Sequence, residues 1–389
     1  MPEPVVNESC RRNPKHMSDI HHALSVAMQH ASTGQLEPLR LLADDRLTIG
    51  APALTRLDVA HGCLSYGLVS CARRLYESVI GDMPNELAAK SGLARIATET
   101  GQHATATATY TELIKQYPDS DTVRRNALVA LQYDPAISES HRLQSAIDWG
   151  QWAVARAGGH RPRPLVAALD NRPPRVGFVS ADFCQHTVGL FAKDILMALG
   201  KQWPVYVYHS RQHEDWVSKR IKSRCHWRSV FDWDDKALAQ QVSQDEIDIL
   251  VDVSGHTAGS RLTAFALRPA PVMLTWLGYF ATTGLPYLDG VLLDAWHAPA
   301  GQQVPFTEPV VELPAGRLFY KPVAWAPKAV APAPCLSRGH ITFGCFNNTA
   351  KINEAVIELW ARVLQAVPGS RLILKWRTFN DVAYQETIE

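Results

Sequence analysis

The sequence lacks the features that mark secreted, zinc-binding and membrane-spanning proteins. Its seven cysteines are scattered and contain no CxxC pair, which argues against a disulfide framework or a zinc site and for reduced thiols. No window approaches the roughly 18 uninterrupted apolar residues of a membrane span, and the N-terminal MPEPVVNESCRR lacks the apolar centre of a signal peptide. We therefore expect a soluble, cytoplasmic protein without a membrane partner.

The chain also lacks an excess of charge and the common phosphate-binding loops. Its 39 basic and 38 acidic side chains give a net charge of +1, so no nucleic-acid partner is expected, whereas phosphate-bearing small molecules stay open. Neither GxGxxG nor GxxxxGK[ST] occurs. A nucleotide would therefore have to bind through other contacts.

The N-terminal part predicts helices that repeat. A shift of 34 residues aligns Ala60 with Ala94, Gly67 with Gly101, Ala72 with Ala106, Tyr76 with Tyr110, Ile80 with Ile114, and Pro84 with Pro118. This is tetratricopeptide spacing, although an ordinary helical bundle with coincidental spacing is the alternative. Ala27 and Gly34 mark a weaker copy upstream, while Leu128 and Pro135 break the pattern and predict that the solenoid stops near Tyr133.

The 389 residues, 46% of them hydrophobic, are enough for two or three domains. Two stretches rich in proline separate segments of different periodicity. The predicted organisation is tetratricopeptide-like repeats over 1–157, a linker over 158–174, a first Rossmann-like lobe over 175–320, a linker over 321–340, and the start of a second Rossmann-like lobe over 341–389.

Strand and helix patterns alternate after the first linker, beginning with RVGFVS (Arg175–Ser180) and reaching IDILVDV. Such alternation predicts a parallel sheet with helices on both faces. A further strand, helix and strand follow in ITFGCFN, INEAVIELWARVLQAVP and SRLILKW. Because parallel strands are normally covered on both faces, we expect this second lobe to be incomplete within these residues.

His186 is the first candidate for chemistry, since it lies in the turn SADFCQHT between the first strand and its helix. A histidine there can deprotonate a hydroxyl as a general base, and the alternative is a polar surface side chain. Asp182 in the same turn could orient the histidine, but we expect it to cap the helix.

The stretch Gly255–Gly284 is the second candidate, because it places two glycine-rich turns at the ends of parallel strands, where ligands bind. The backbone N–H groups of Leu277, Gly278 and Tyr279 could bind a sugar or another polyol. Thr283 and His256 add polar side chains, as does Thr282. The alternative is a tight turn that binds nothing.

The third candidate is NNTAKIN (Asn347–Asn353), which follows a strand and precedes a helix. Lys351 beside a helix N-terminus predicts an anion site that could hold a diphosphate without a metal. A solvated lysine is the alternative.

Taken together, these segments resemble the O-linked N-acetylglucosamine transferases, and their bacterial branch in particular. The resemblance rests on three motifs in order, VGFVSADFCQH, then DVSGHTAGSRLTAFALRPAPVMLTWLGYFATTG, then FGCFNNTAKI. It extends upstream to ALVALQYDP and the repeats, and so covers the chain from about Ala51 onward.

This resemblance implies a two-lobed glycosyltransferase of the B type behind tetratricopeptide repeats. It implies transfer of N-acetylglucosamine from UDP-N-acetylglucosamine to serine or threonine hydroxyls of proteins, with inversion, without a metal or other cofactor, and with the acceptor along the repeats. His186 matches the family's active-site histidine, and Lys351 matches the lysine on the donor diphosphate. Asn348 replaces a glutamine that reaches the same phosphate, while Leu277 and Gly278 match the turn that holds the sugar hydroxyls.

The sequence departs from the family pattern at Phe280, which replaces a proline, and at Ala350, which replaces a tyrosine in some members. The family's uridine- and ribose-binding segments come later in the second lobe and are absent from these residues, so the activity of this chain alone stays open. Two other functions remain, a transferase with another donor such as UDP-glucose and a non-catalytic repeat scaffold with degenerate lobes.

Overall fold

The computed structural model describes residues 14–165 and 172–388. They fall into two compact units, one drawn from Met1–Val123 and Ala329–Glu389 and the other from Arg124–Lys328. Residues from 329 onward group with the N-terminal helices, and the predicted domain boundaries stay a prediction. No helix among the described residues is long and apolar enough to cross a membrane.

The N-terminal part is helical throughout its described residues, as predicted. Its helices are α1 (Pro14–Ser32), α2 (Glu37–Asp44), α3 (Arg46–Ile49), α4 (Ala53–Ser65), α5 (Val69–Asp82), α6 (Leu87–Glu99), α7 (His103–Gln116), α8 (Asp121–Tyr133) and α9 (Glu139–Arg156). Helices α6 and α7 begin and end 34 residues after α4 and α5, which is the spacing of the sequence repeat. Helix α8 keeps the same spacing to α6, so the periodicity runs up to Tyr133.

The residues shared by the repeats shape the turns between paired helices and fill the gaps between them. Gly67 and Gly101 turn the chain between paired helices with φ of +81° and +78°, values that glycine adopts without strain. Tyr76 is buried and fills the gap between helices so closely that a Cβ on Gly92 would lie 2.4 Å from its ring. The small residues are therefore needed where helices approach.

The second unit is built on a parallel sheet of seven strands in the order β3-β2-β1-β4-β5-β6-β7. The strands are β1 (Val176–Ser180), β2 (Val205–His209), β3 (His226–Ser229), β4 (Ile249–Asp252), β5 (Val272–Trp276), β6 (Gly290–Leu293) and β7 (Val310–Glu312). The strand order reverses between β1 and β4, which makes their carboxyl ends the expected ligand edge. This confirms the predicted α/β architecture.

Helices cover both faces of this sheet. They are α10 (Thr187–Leu199), α11 (Trp216–Lys222), α12 (Asp235–Gln244) and α13 (Leu262–Phe265), together with α9. Phe178 of β1 packs with side chains of α10 and α11, whereas its neighbour Val179 packs in a cluster with Trp149 of α9 and Leu238 of α12. A helix of the N-terminal region therefore covers one face of the sheet.

The residues after the second proline-rich stretch form a small sheet in the first unit. Strands β8 (Thr342–Cys345) and β9 (Arg371–Leu374) are parallel and are joined through α15 (Glu354–Ala366), as the strand and helix patterns predict. Short 3-10 helices lie at Thr349–Lys351 and Arg377–Asn380, and α16 covers Val382–Ile388. Helix α14 (Cys335–Arg338) lies within the predicted linker over 321–340.

Candidate active site

His186 lies at the ligand edge of the sheet, where it is the N-cap residue of α10. Its Nδ1 atom accepts a hydrogen bond from the Val188 N–H at 3.4 Å, and its side chain is 47% exposed. The prediction that Asp182 caps this helix is therefore wrong. The imidazole caps the helix because α10 begins at Thr187, so that His186, and not Asp182, is the residue directly before its first turn.

Asp182 instead lies buried behind the histidine. One carboxylate oxygen is 3.7 Å from His186 Nδ1. Burial raises the pKa of Asp182, while His186, Arg211 and His209 lower it in turn by attraction. The buried Asp182 carboxylate therefore lies behind the exposed His186 imidazole at the edge of the sheet.

The turn after β4 is held by a buried carboxylate that sequence reasoning missed. Asp252 accepts hydrogen bonds from the N–H groups of Ser254 and Gly255 and from the Thr275 hydroxyl, at 3.3, 2.7 and 3.1 Å. Burial raises its pKa to about 6 despite these bonds. The Ser254 hydroxyl is also 2.8 Å from that of Ser180 on β1, so the two central strand ends are tied together.

The turn after β5 contains the predicted backbone contacts. Leu277 has a φ of +67°, which is unusual for a residue with a side chain. Gly278 follows, and a Cβ there would lie 2.1 Å from the Val253 carbonyl oxygen. The Gly278 N–H donates to the Trp276 carbonyl at 2.7 Å, so a sugar hydroxyl would have to share that donor. The predicted contacts to a donor sugar stay a prediction.

His256 and Tyr279 both lie inside the protein, 1% and 7% exposed. The rings meet edge to face at 5.3 Å, and Trp149 meets the imidazole from another side at 4.5 Å. Burial lowers the pKa of His256 to about 3, so its imidazole is neutral and Nε2 donates to the Thr283 carbonyl at 2.8 Å. These contacts favour a role in shaping the turn.

Thr283 is also buried, because its turn is fastened to Glu308. The Glu308 carboxylate accepts a bond from the Thr283 N–H at 2.8 Å, another from the Thr283 hydroxyl, and one from the Thr282 hydroxyl at 2.6 Å. Phe280, between the two buried parts of the turn, is 56% exposed and contacts Tyr133 edge to face at 6.3 Å. The Phe280 ring is therefore accessible to solvent beside the position predicted for the sugar.

The predicted diphosphate site lies in the first unit. Lys351 ends the 3-10 helix capped by Asn348, whose side chain accepts from the Ala350 N–H at 3.1 Å. The Lys351 ammonium is exposed and donates to Asn347 Oδ1 at 3.3 Å. Helix α15 begins three residues later behind its own cap, Asn353. An exposed lysine and a helix N-terminus thus lie close together in the chain, which is the arrangement that an anion site uses.

Part of the chain matches a family of known proteins. Residues 163–319 match the family model for glycosyl transferase family 41. The probable UDP-N-acetylglucosamine–peptide N-acetylglucosaminyltransferase SPINDLY of Arabidopsis thaliana is 38% identical over 280 residues, which are 67% of this chain and 29% of that protein. The protein of the same name from Solanum lycopersicum is 37% identical over 284 residues, 68% of this chain and 29% of that protein.

A solved structure agrees with the described fold. The O-GlcNAc transferase of Thermobaculum terrenum, in a variant with a lysine replaced by methionine, matches with a TM-score of 0.81 and 28% identity. The match covers 97% of this chain and 72% of that one. The chain spans about 29% of the length of the plant relatives.

Helical repeats followed by a parallel sheet with its ligand edge at β1 and β4 define the fold class, which is that of the B-type glycosyltransferases. Within that class, the chain is a homologue of the O-linked N-acetylglucosamine transferases and carries a family 41 glycosyltransferase region. The resemblance read from the sequence motifs is confirmed.

Proposed function

We propose that the protein transfers N-acetylglucosamine from UDP-N-acetylglucosamine to serine or threonine hydroxyls of protein acceptors. The observation that carries the proposal is the family 41 match over residues 163–319, which includes His186 and both glycine turns. The names of the plant relatives supply the donor and a peptide acceptor. The exposed imidazole at the ligand edge of the sheet supplies a base.

In the proposed reaction, the acceptor hydroxyl attacks the anomeric carbon and UDP leaves in a direct displacement that inverts this centre. The His186 imidazole takes the hydroxyl proton on Nε2, in the tautomer whose Nδ1 carries a proton toward the Asp182 carboxylate, 3.7 Å away, instead of accepting from the Val188 N–H. This side chain is half exposed at the edge where β1 and β4 end. Lys351 and the N-terminal end of α15 stabilise the charge that develops on the leaving diphosphate. In this proposal a lysine and a helix N-terminus do the work for which other transferases use a metal.

The reduced state of the thiols suits a cytoplasmic protein. Six described cysteines are free of disulfides, and burial raises the pKa of Cys63 to about 12, which keeps that thiol protonated and unreactive. We therefore place the proposed activity in the cytoplasm, with proteins of that compartment as acceptors along the repeats.

Replacement of Lys351 by alanine in the complete protein tests the proposal. The loss of a charge-assisted contact to phosphate should weaken UDP binding about ten- to hundredfold and abolish transfer. Lys375→Ala removes another exposed lysine of the same unit, directly after β9, and is the matched control. Equal UDP affinity in both variants, measured by titration calorimetry, would contradict the role of Lys351.

A panel of donors tests the sugar. The proposal predicts product from UDP-N-acetylglucosamine and little from UDP-glucose, whereas the reverse would favour the alternative donor. Absence of both transfer and UDP-sugar hydrolysis, with no stabilisation by UDP, would favour a scaffold with degenerate lobes. Mass detection of product and thermal unfolding with UDP distinguish these outcomes.

A further inference from the structure

The loop that carries Lys351 is anchored on the helical repeats. Thr349 is fully buried, and its hydroxyl donates to the Glu99 carbonyl at 2.7 Å, at the last residue of α6. Its oxygen is also 2.8 Å from the Thr378 hydroxyl, which must be the donor because the proton of Thr349 is already used. One buried hydroxyl therefore joins the loop to a repeat helix and to the 3-10 helix after β9.

A charge pair makes a second anchor at the same place. The Glu99 carboxylate, 7% exposed, receives the Arg377 guanidinium and accepts from Arg95 Nε at 2.9 Å. Loss of one partner of a buried charge is costly, because the other is left without compensation. Glu99 thus holds the small sheet through both its backbone carbonyl and its side chain.

The turns of the repeats fit closely against this region. A Cβ on Gly101 would lie 3.0 Å from the Ile352 carbonyl oxygen, and one on Gly67 would lie 2.0 Å from the carbonyl oxygen of Arg377. Thr349 and Ile352, on either side of Lys351, are buried, while Lys351 is exposed. The backbone that carries the lysine is therefore fixed by contacts to α6 and to its following turn.

We propose that Thr349, Glu99 and Arg377 are positioning residues that hold Lys351 at the donor diphosphate. The inference rests on the proposed function, because it assigns these residues through the phosphate contact of Lys351. It adds that the repeat helices form part of the donor site. A flexible lysine contributes most when its backbone is held in place by packing and hydrogen bonds.

The test measures UDP affinity in the complete protein by titration calorimetry. Thr349→Val keeps the shape and removes the hydroxyl, and should weaken UDP binding about five- to tenfold, the worth of one hydrogen bond. Thr349→Ser keeps the hydroxyl and should restore affinity. Thr98→Val is the matched control, because this buried hydroxyl in α6 donates to the Ala94 carbonyl of its own helix.

The same measurement is repeated in a Lys351→Ala background. If Thr349 acts through the lysine, Thr349→Val should weaken UDP binding no further there. An equal loss in both backgrounds would overturn the inference, as would an unchanged affinity of Thr349→Val when Lys351→Ala alone weakens binding. An unchanged affinity of Lys351→Ala would instead overturn the proposed function on which the inference rests.

A second variant covers the case in which Thr349→Val does not fold. Arg377→Gln changes a side chain that is 35% exposed and leaves Arg95 on the Glu99 carboxylate. It should weaken UDP binding by about threefold, which is the lower end expected for one hydrogen bond. A folded Arg377→Gln protein with unchanged UDP affinity would contradict the assignment of Arg377.

Discussion

Helix α9 approaches the turn at Gly284 so closely that only hydrogen atoms fit between the two backbones. A Cβ on Gly150 would lie 1.9 Å from the Gly284 carbonyl oxygen and 2.6 Å from its carbon. The obstacle cannot rotate away, since the turn is fixed by the bonds of Thr282 and Thr283 to Glu308. Gly150→Ala therefore has to move backbone.

The expected cost is at the upper end of overpacking, about 3 kcal/mol. For a unit of this size that lowers the midpoint of thermal unfolding by about 6–12 °C, as scanning calorimetry would show. Gly81→Ala in α5 is the matched control, because nothing lies within 4 Å of its added Cβ. Gly81→Ala should raise the free energy of unfolding by about 0.5–1 kcal/mol. An unfolding midpoint of Gly150→Ala equal to that of the parent would refute the close contact.

Two further changes test the buried groups of the same turn. Glu308→Gln turns an acceptor oxygen into a donor facing Thr282 or Thr283, and should lower the free energy of unfolding in urea by about 1–3 kcal/mol. The control Glu312→Gln changes an exposed side chain and should have no effect. Equal free energies of unfolding for the two variants would contradict the buried network. The pKa of His256 is lowered to about 3 against 6.5 for the unfolded residue. Between these two pH values the imidazole binds a proton in the unfolded chain but not in the folded one. The contribution of neutral His256 to the free energy of unfolding is therefore fully present above pH 6.5 and is lost as the pH falls. In His256→Gln the side chain can keep the bond to Thr283. The free energy of unfolding of this variant, relative to that of the parent, should therefore rise by about 2 kcal/mol as the pH falls from about 8 to 5. A difference that does not depend on pH would show that His256 is not buried and neutral.

Much of the fold was predictable because its signals are local. The repeat glycines Gly67 and Gly101 have the positive φ that the 34-residue spacing implies, and the alternation of strand and helix patterns gave the parallel sheet. By contrast, the sequence does not reveal that α9 covers the sheet. An amphipathic helix has the same pattern of apolar residues whether it packs on another helix or on strands.

The candidate site was predictable in part, for the same reason. His186, Lys351 and the glycine turns follow strands, so their places at strand ends could be read from order alone. Glu308 could not be found in this way, because the threonines that bind it are about 25 residues distant in the chain. Propensity also misassigned the cap of α10, since aspartate is a common N-cap residue, whereas the helix begins at Thr187 and its N-cap is His186.

The central claim is tested most directly by mass spectrometry of a protein acceptor incubated with the complete protein and UDP-N-acetylglucosamine. Single serine or threonine residues should gain one N-acetylhexosamine, the linkage at the anomeric carbon should be inverted relative to the donor, and Lys351→Ala should abolish the product. An unmodified acceptor with the intact protein, or equal modification by Lys351→Ala, would contradict the proposed function.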